Sequence, residues 1–109
     1  MKDILKSLGL CRRAGKLVVG FGAVCDLFSE GILDVVVFLA ADVSLKTAKE
    51  VRYYAAKHGV EVIYLNVTKS EIYEILNKPF AVLAITDIKM ANMIKSYLWI
   101  IELNYIFSI

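Results

Sequence analysis

Proline occurs once in this chain, at position 79, and histidine and tryptophan occur once each. So little proline leaves the backbone free to build regular elements, and it singles out Lys78-Pro79 as a break that neither helix nor strand continues through. Cysteine is nearly as scarce. Cys11 and Cys25 form no CxxC pair and are too few for a disulfide scaffold, and His58 alone beside them leaves a zinc site short of ligands. No metal is therefore expected, and both cysteines read as small buried hydrophobes in a reducing, cytoplasmic compartment. Long apolar runs are missing as well: Met1–Lys6 is charged and no such run follows, so neither a signal peptide nor a membrane partner is expected. No Ser/His/Asp or Cys/His set with supporting groups can be assembled and no full GxGxxG is present, which speaks against an enzyme.

What is present is apolar and unevenly charged. The 109 residues suit one domain with a single sizeable core, and 59% of them are hydrophobic. A net charge of +2 is too mild to imply a polyanion partner, so only its distribution informs. Lys2, Lys6, Arg12, Arg13 and Lys16 are opposed by Asp3 alone within the first sixteen residues. Arg12–Ala23 ends one helix, makes a short apolar strand over Leu17–Val19 and opens a second helix through Gly20 and Gly22. Free N–H groups at such a helix start suit an anion such as a phosphate, with Arg13 and Lys16 close by in sequence. A glycine-punctuated turn with solvated cations remains the plainer reading of the same residues.

Along the chain, helix and strand alternate. Ile4, Leu5, Leu8 and Cys11 predict an amphipathic helix over 3–14, with Asp3 as its N-cap and Gly15 as its stop. Residues 21–30 read as a second helix with Val24, Leu27 and Phe28 inward, closed by Gly31. Val35–Leu39 is an unbroken apolar run of strand length, as expected of a strand covered on both faces. Ser44 caps a helix to about His58, with Leu45, Ala48, Val51, Ala55 and Ala56 as its core stripe. Glu61–Leu65 reads as a strand, and Thr68 and Glu71 have the capping-box spacing of a short helix ending near Asn77. Phe80–Thr86 is a fourth buried strand, and Asp87 caps a last helix with Ile88, Ala91, Ile94 and Leu98 inward. The sum is βαβ-type alternation in one three-layer α/β/α domain, with strands near 17–19, 34–40, 61–65 and 80–86.

Three blocks carry a family resemblance. Leu8–Gly20 resembles the opening of the bacterial YlxQ-type ribosomal proteins, of the kink-turn RNA-binding superfamily that includes the L-seven-Ae and L-thirty-e-like proteins. Val36–Asp42 and Val82–Asp87 resemble that family's second and last strands with their following acids, and the similarity runs from about residue 4 to 97. The resemblance implies an α/β/α sandwich around a mixed four-stranded sheet, with no catalysis, no cofactor and a ribosomal or other structured RNA as partner. It also implies two RNA-gripping elements. One is the start of the second helix, here Gly20–Asp26 with Gly20, Phe21, Gly22 and Ala23 foremost. The other is an apolar loop before the last strand, here Asn77–Phe80 with Asn77, Lys78 and Pro79.

The chain departs from the family at the base-reading positions. RNA binders of the family begin the second helix Gly-x-Asn-Glu, with a lysine three residues after the glutamate; those positions are Gly22, Ala23 and Asp26 here. Asn and Glu side chains hydrogen-bond base edges, whereas Gly and Ala have nothing to offer them, and Asp26 repels phosphate. Val18 and Val19 stand where basic residues often precede the glycine, and Asn77 replaces the glycine that often closes the loop.

Other polar and aromatic positions have plainer structural readings. Asp42 and Asp87 follow strands, as in a phospho-acceptor pocket, but capping of the helices they precede explains them better. Lys46, Lys49 and Arg52 read as a solvated helix side that could extend a phosphate-binding face, and Tyr53 and Tyr54 as core-boundary residues rather than base-stacking ones. The family does not explain the tail, residues 98–109, where Trp99, Ile100, Ile101, Leu103, Tyr105, Ile106 and Phe107 crowd together. Strand and helix both fit it, and so apolar a segment must pack on its own domain or on a second copy of the chain, with a homodimer preferred. Three functions stay in view: an RNA-binding, ribosome-associated protein; an interaction or dimerisation module on the same fold; and, least supported, a nucleotide-binding enzyme.

Overall fold

The computed structural model describes residues 2–108, with side chains through Leu98. In chain order the elements are α1 (Asp3–Arg13), β1 (Leu17–Val19), α2 (Phe21–Ser29), β2 (Val36–Leu39), α3 (Leu45–Lys57), β3 (Glu61–Tyr64), α4 (Lys69–Leu76), β4 (Val82–Ile85) and α5 (Ile88–Ser108). The sheet has the order β1-β4-β2-β3. β4 runs antiparallel to both β1 and β2, while β2 and β3 are parallel, so the sheet is mixed, as the family resemblance implies.

The two unbroken apolar runs make the middle of the sheet, and every residue of β2 and β4 is buried. Side chains alternate across a strand, so each run feeds two cores. Val36, Phe38, Leu83 and Ile85 face α1, α4 and α5, against Leu5, Leu8, Ile72 and Ile94. Val37, Leu39, Val82 and Ala84 face α2 and α3, against Val24, Phe28, Ala48, Val51 and Ala55. Each large side chain so buried contributes about 1.5–3 kcal/mol, which is why the middle of the sheet needs both helical layers. Cys11 is fully buried in the first core, as expected. Burial, and then the charge of Asp87, raise its thiol pKa and keep it protonated.

Helix ends follow local chemistry, with corrections. Gly15, at φ +72°, lets Lys16 N–H reach back to the Cys11 carbonyl and end α1, and the same closure ends α2 and α3. The Ser44 hydroxyl accepts the Thr47 N–H, and Thr68 and Glu71 complete the capping box. Asp3 is not an N-cap: Lys2 holds that position and Asp3 is the first helical residue. Asp87 caps its own helix through Met90 N–H, but Asp42 does not cap α3; its Oδ1 accepts the N–H of Lys69, first residue of the distant α4. Leu45 is 72% exposed, and Ala56 and Ile88 also lie outside the core. Leu45 and Ile88 each occupy the first position of a helix, where the first turn extends past the packed face.

Helix α5 settles one alternative, because its backbone is helical to Ser108 and the tail is not a strand. What the tail side chains touch lies outside the described residues. Up to Leu98 the helix is anchored by Ala91 and Ile94 in the core, by the ion pair of Lys95 with Glu61, and by the Ser7 hydroxyl donating to the Tyr97 hydroxyl at 3.4 Å.

Glu71 ties two helices together. It accepts the Thr68 N–H and meets the Lys2 ammonium at 3.0 Å, and these partners hold its carboxyl below the ordinary glutamate range. A lowered folded-state pKa stabilises the fold above the unfolded value of about 4.3, and that contribution is lost as pH falls through the folded value. The melting-temperature gap between wild type and Glu71→Gln should therefore be constant above about pH 5.5 and close in more acid buffer. A gap that widens on acidification would contradict this assignment.

Candidate nucleic-acid interface

Pairing of β1 with β4 builds the site. The ladder sets Val19 against Leu83 and continues as the Gly20 N–H donating to the Val82 carbonyl at 2.8 Å. This brings the start of α2 beside the start of β4, and therefore beside the loop that leads into β4. Gly20 sits at φ +96° and ψ 148°, a conformation open to glycine and strained for any side chain. A Cβ there would lie 3.6 Å from the Phe80 ring, so the space is ordinary and the dihedral is what demands glycine. Phe80 thus packs on Gly20 and joins the two elements into one surface.

Among the described residues nothing caps α2: no side chain accepts a hydrogen bond from its first turn, and that turn contains no acid. Each of the other helices has an acid in its first turn or an N-cap side chain bonded to it. The first N–H groups of α2 lack intrahelical partners, and with the helix dipole they make a small field of positive potential. Gly22 and Ala23 lie exposed in this turn, and among the described residues a Cβ placed on Gly22 would meet nothing within 4 Å beyond its chain neighbours and its own helix backbone.

Across the surface, Asn77 adopts the left-handed conformation at φ 59° and ψ 18° and ends α4. It does the work of the glycine that often stands there. Asn77, Lys78 and Pro79 are exposed, while Phe80 is half-buried. An exposed loop carrying one lysine beside an uncapped helix start can meet phosphate on one side and an unstacked base on the other.

The expected residues do not all gather here. Gly20, Phe21, Gly22 and Ala23 line one side of the surface, and Asn77, Lys78 and Pro79 the other. Arg13 and Lys16 lie at the opposite end of β1, where the Lys16 carbonyl accepts the Thr86 N–H. Four residues of extended chain, roughly 13 Å, separate Lys16 from Gly20. Arg12 is occupied elsewhere, its Nη1 donating to the Ile75 carbonyl in the last turn of α4 at 2.7 Å. Sequence reasoning missed the Gly20–Phe80 contact, which depends on strands more than sixty residues apart pairing in one register. It also placed Tyr53 and Tyr54 at a core boundary, whereas they are 65% and 41% exposed.

The architecture defines a class: a small α/β/α sandwich that presents an uncapped helix start and a neighbouring loop on one surface. The chain belongs to the ribosomal protein L7Ae/L30e/S12e/Gadd45 family, whose profile matches residues 2–95. No curated protein matches it in sequence. Among solved structures, it is similar to a protein with unknown function from Bacillus halodurans, at 20% identity and a TM-score of 0.75, over 88% of this chain and 96% of that one. It is also similar to the Giardia lamblia 15.5kD RNA binding protein, at 14% identity and a TM-score of 0.67, over 94% of this chain and 90% of the other. At such identities the likeness speaks for the fold.

The conformation of Gly20 generates a stability test. Gly20→Ala should cost about 1–3 kcal/mol, from dihedral strain alone. Urea unfolding followed by circular dichroism measures it, and an unchanged midpoint would mean that residue 20 tolerates a side chain.

Proposed function

We propose that this protein is an RNA-binding, ribosome-associated member of its family, cytoplasmic and without catalytic activity, which docks on kink-turn or similarly bent RNA. One observation carries the reading: the Gly20–Phe80 contact that sets the uncapped start of α2 beside the exposed Asn77–Pro79 loop. Family membership and the RNA-binding protein among its structural neighbours support it. In this reading the N–H groups of Phe21, Gly22 and Ala23 bind a phosphate at the bend, and Asn77, Lys78 and Pro79 support an unstacked base. Arg13 and Lys16, at the far end of β1, supply phosphate contacts along a flanking helix.

Affinity then comes mostly from charge and backbone. Gly22 and Ala23 have no side-chain groups to read a base edge, and Asp26 sets a negative charge one turn into the helix. Binding should be weak, only modestly selective for the kink, and steeply salt-dependent, because each neutralised phosphate releases counterions. The triple variant Gly22→Asn, Ala23→Glu, Asp26→Lys restores two readers and reverses one charge at exposed positions. With each good base contact worth ~1–3 kcal/mol of discrimination, its preference for a kink-turn over a control hairpin should rise at least about tenfold. A folded triple variant with no such gain would show that α2 does not read the RNA.

A second reading, a homodimer through the tail, is favoured by one observation. The helical backbone carries seven apolar residues between 99 and 107, more than a single stripe facing its own domain would use. We propose that this segment pairs with a second copy, independently of RNA. Light scattering of the full chain at micromolar concentration should then report a dimer, and removal of residues 99–109 a folded monomer. A monomeric full-length protein would end the dimer reading.

A further inference from the structure

Helices α2 and α3 leave an open groove between them on the face turned away from the sheet. It begins at Phe21, the first residue of α2, and a cavity of about 410 Å³ there is lined by Phe21, Lys49, Glu50, Tyr53 and Tyr54. A second cavity of about 380 Å³ continues from Phe21 and Tyr54 to Lys57 and His58. The aromatic side chains hold one another at angles: Phe21 meets Tyr54 edge-on at 6.2 Å, and Tyr54 meets Tyr53 at 5.4 Å and 77°. Tyr53 is 65% exposed, so a large ring stands in water with an open face. An amphipathic helix gains little stability from that arrangement, and the Ala48, Val51 and Ala55 stripe already supplies the packing of α3.

We propose that this groove stacks an unpaired nucleotide of a strand that leaves the bent RNA, on the open face of Tyr53 with Phe21 and Tyr54 beside it. The inference rests on the RNA reading above and extends it to a second contact region. Three observations choose a nucleotide over other occupants. Aromatic rings with open faces suit a base, since every base has a π-face. Lys49 lines the groove and Lys46 is exposed one turn earlier on α3, and both suit phosphate; Glu50 is the acid in the lining, with Asp26 exposed on α2. Phe21 belongs both to the groove and to the start of α2, so a strand emerging from that turn enters the groove without a gap. Cys25, half-buried rather than buried as expected, lines the second cavity, and burial first, then the charges of Asp26 and Glu50, raise its thiol pKa.

The test compares a blunt kink-turn duplex with the same duplex carrying a short single-stranded adenosine extension. The extension should tighten binding by about five- to a hundredfold, the range for one stacked base. Tyr53→Ala should abolish that gain while leaving affinity for the blunt duplex unchanged, and Tyr53→Phe should keep it. No gain from the extension, or a gain that survives Tyr53→Ala, overturns the groove while the RNA reading stands. If wild type fails to bind the blunt duplex, the RNA reading has failed. Titration with the free adenosine oligonucleotide, followed by NMR of the Tyr53 and Tyr54 ring protons, then decides the groove on its own: shifts at both rings support it, and none overturns it. Ring shifts that follow protein concentration without any RNA would overturn it in favour of a second copy.

Discussion

Strand β4 is the constraint on which the rest depends. It pairs with β1 on one side and β2 on the other, and all four of its residues are buried. Its leading end also receives two hydrogen bonds from beyond the regular ladders, from Gly20 N–H to Val82 and from Ala40 N–H to Ala81. Those two bonds hold the start of α2, the turn after β2 and the loop before β4 at one end of the sheet. Loops are expected to be mobile, but this one is clamped at its end by a doubly covered strand. The candidate surface, made of two short segments, gains rigidity in this way from the sheet itself.

The distribution of helix caps sharpens the picture. Side-chain caps are commonly worth about 1 kcal/mol, and this chain has placed them at Ser44, Thr68 and Asp87. It has even directed Asp42 across the fold to the first N–H of α4. Helix α2 is left bare behind a glycine of unusual conformation. A bare helix start costs stability when empty and returns it when an anion arrives, which is how a binding element differs energetically from a structural one.

In the proposed reading, the aromatic groove would change the balance between affinity and specificity. Where Gly22 and Ala23 provide no base readout, stacking on Tyr53 would add affinity that depends on strand geometry rather than on sequence. Such a protein would recognise a bend and the strand leaving it, by shape and charge. The tail on α5 lies in another part of the chain, and the contacts between copies proposed there would not compete with the α2 surface for residues.

Much of the architecture was legible in the residues themselves. Val35–Leu39 and Val82–Ile85 had to be central strands because only two covering layers can bury such runs, and helix ends at Gly15, Ser44 and Thr68 follow from local backbone chemistry. The pairing of those elements was not legible. That Phe80 meets Gly20, that Asp42 serves α4 rather than its own helix, that Arg12 is occupied by a carbonyl of Ile75, and that Tyr53 stands in solvent are all facts of register and crossing. Periodicity along a helix tells which residues share a side, as it did for Ala48, Val51 and Ala55, but not how far that side reaches over the sheet. Leu45 and Ile88 kept the period and still lay outside the core. The local code thus determined the elements and their order, while packing decided which ends met and which rings were left uncovered, because those outcomes depend on contacts between residues far apart in the chain.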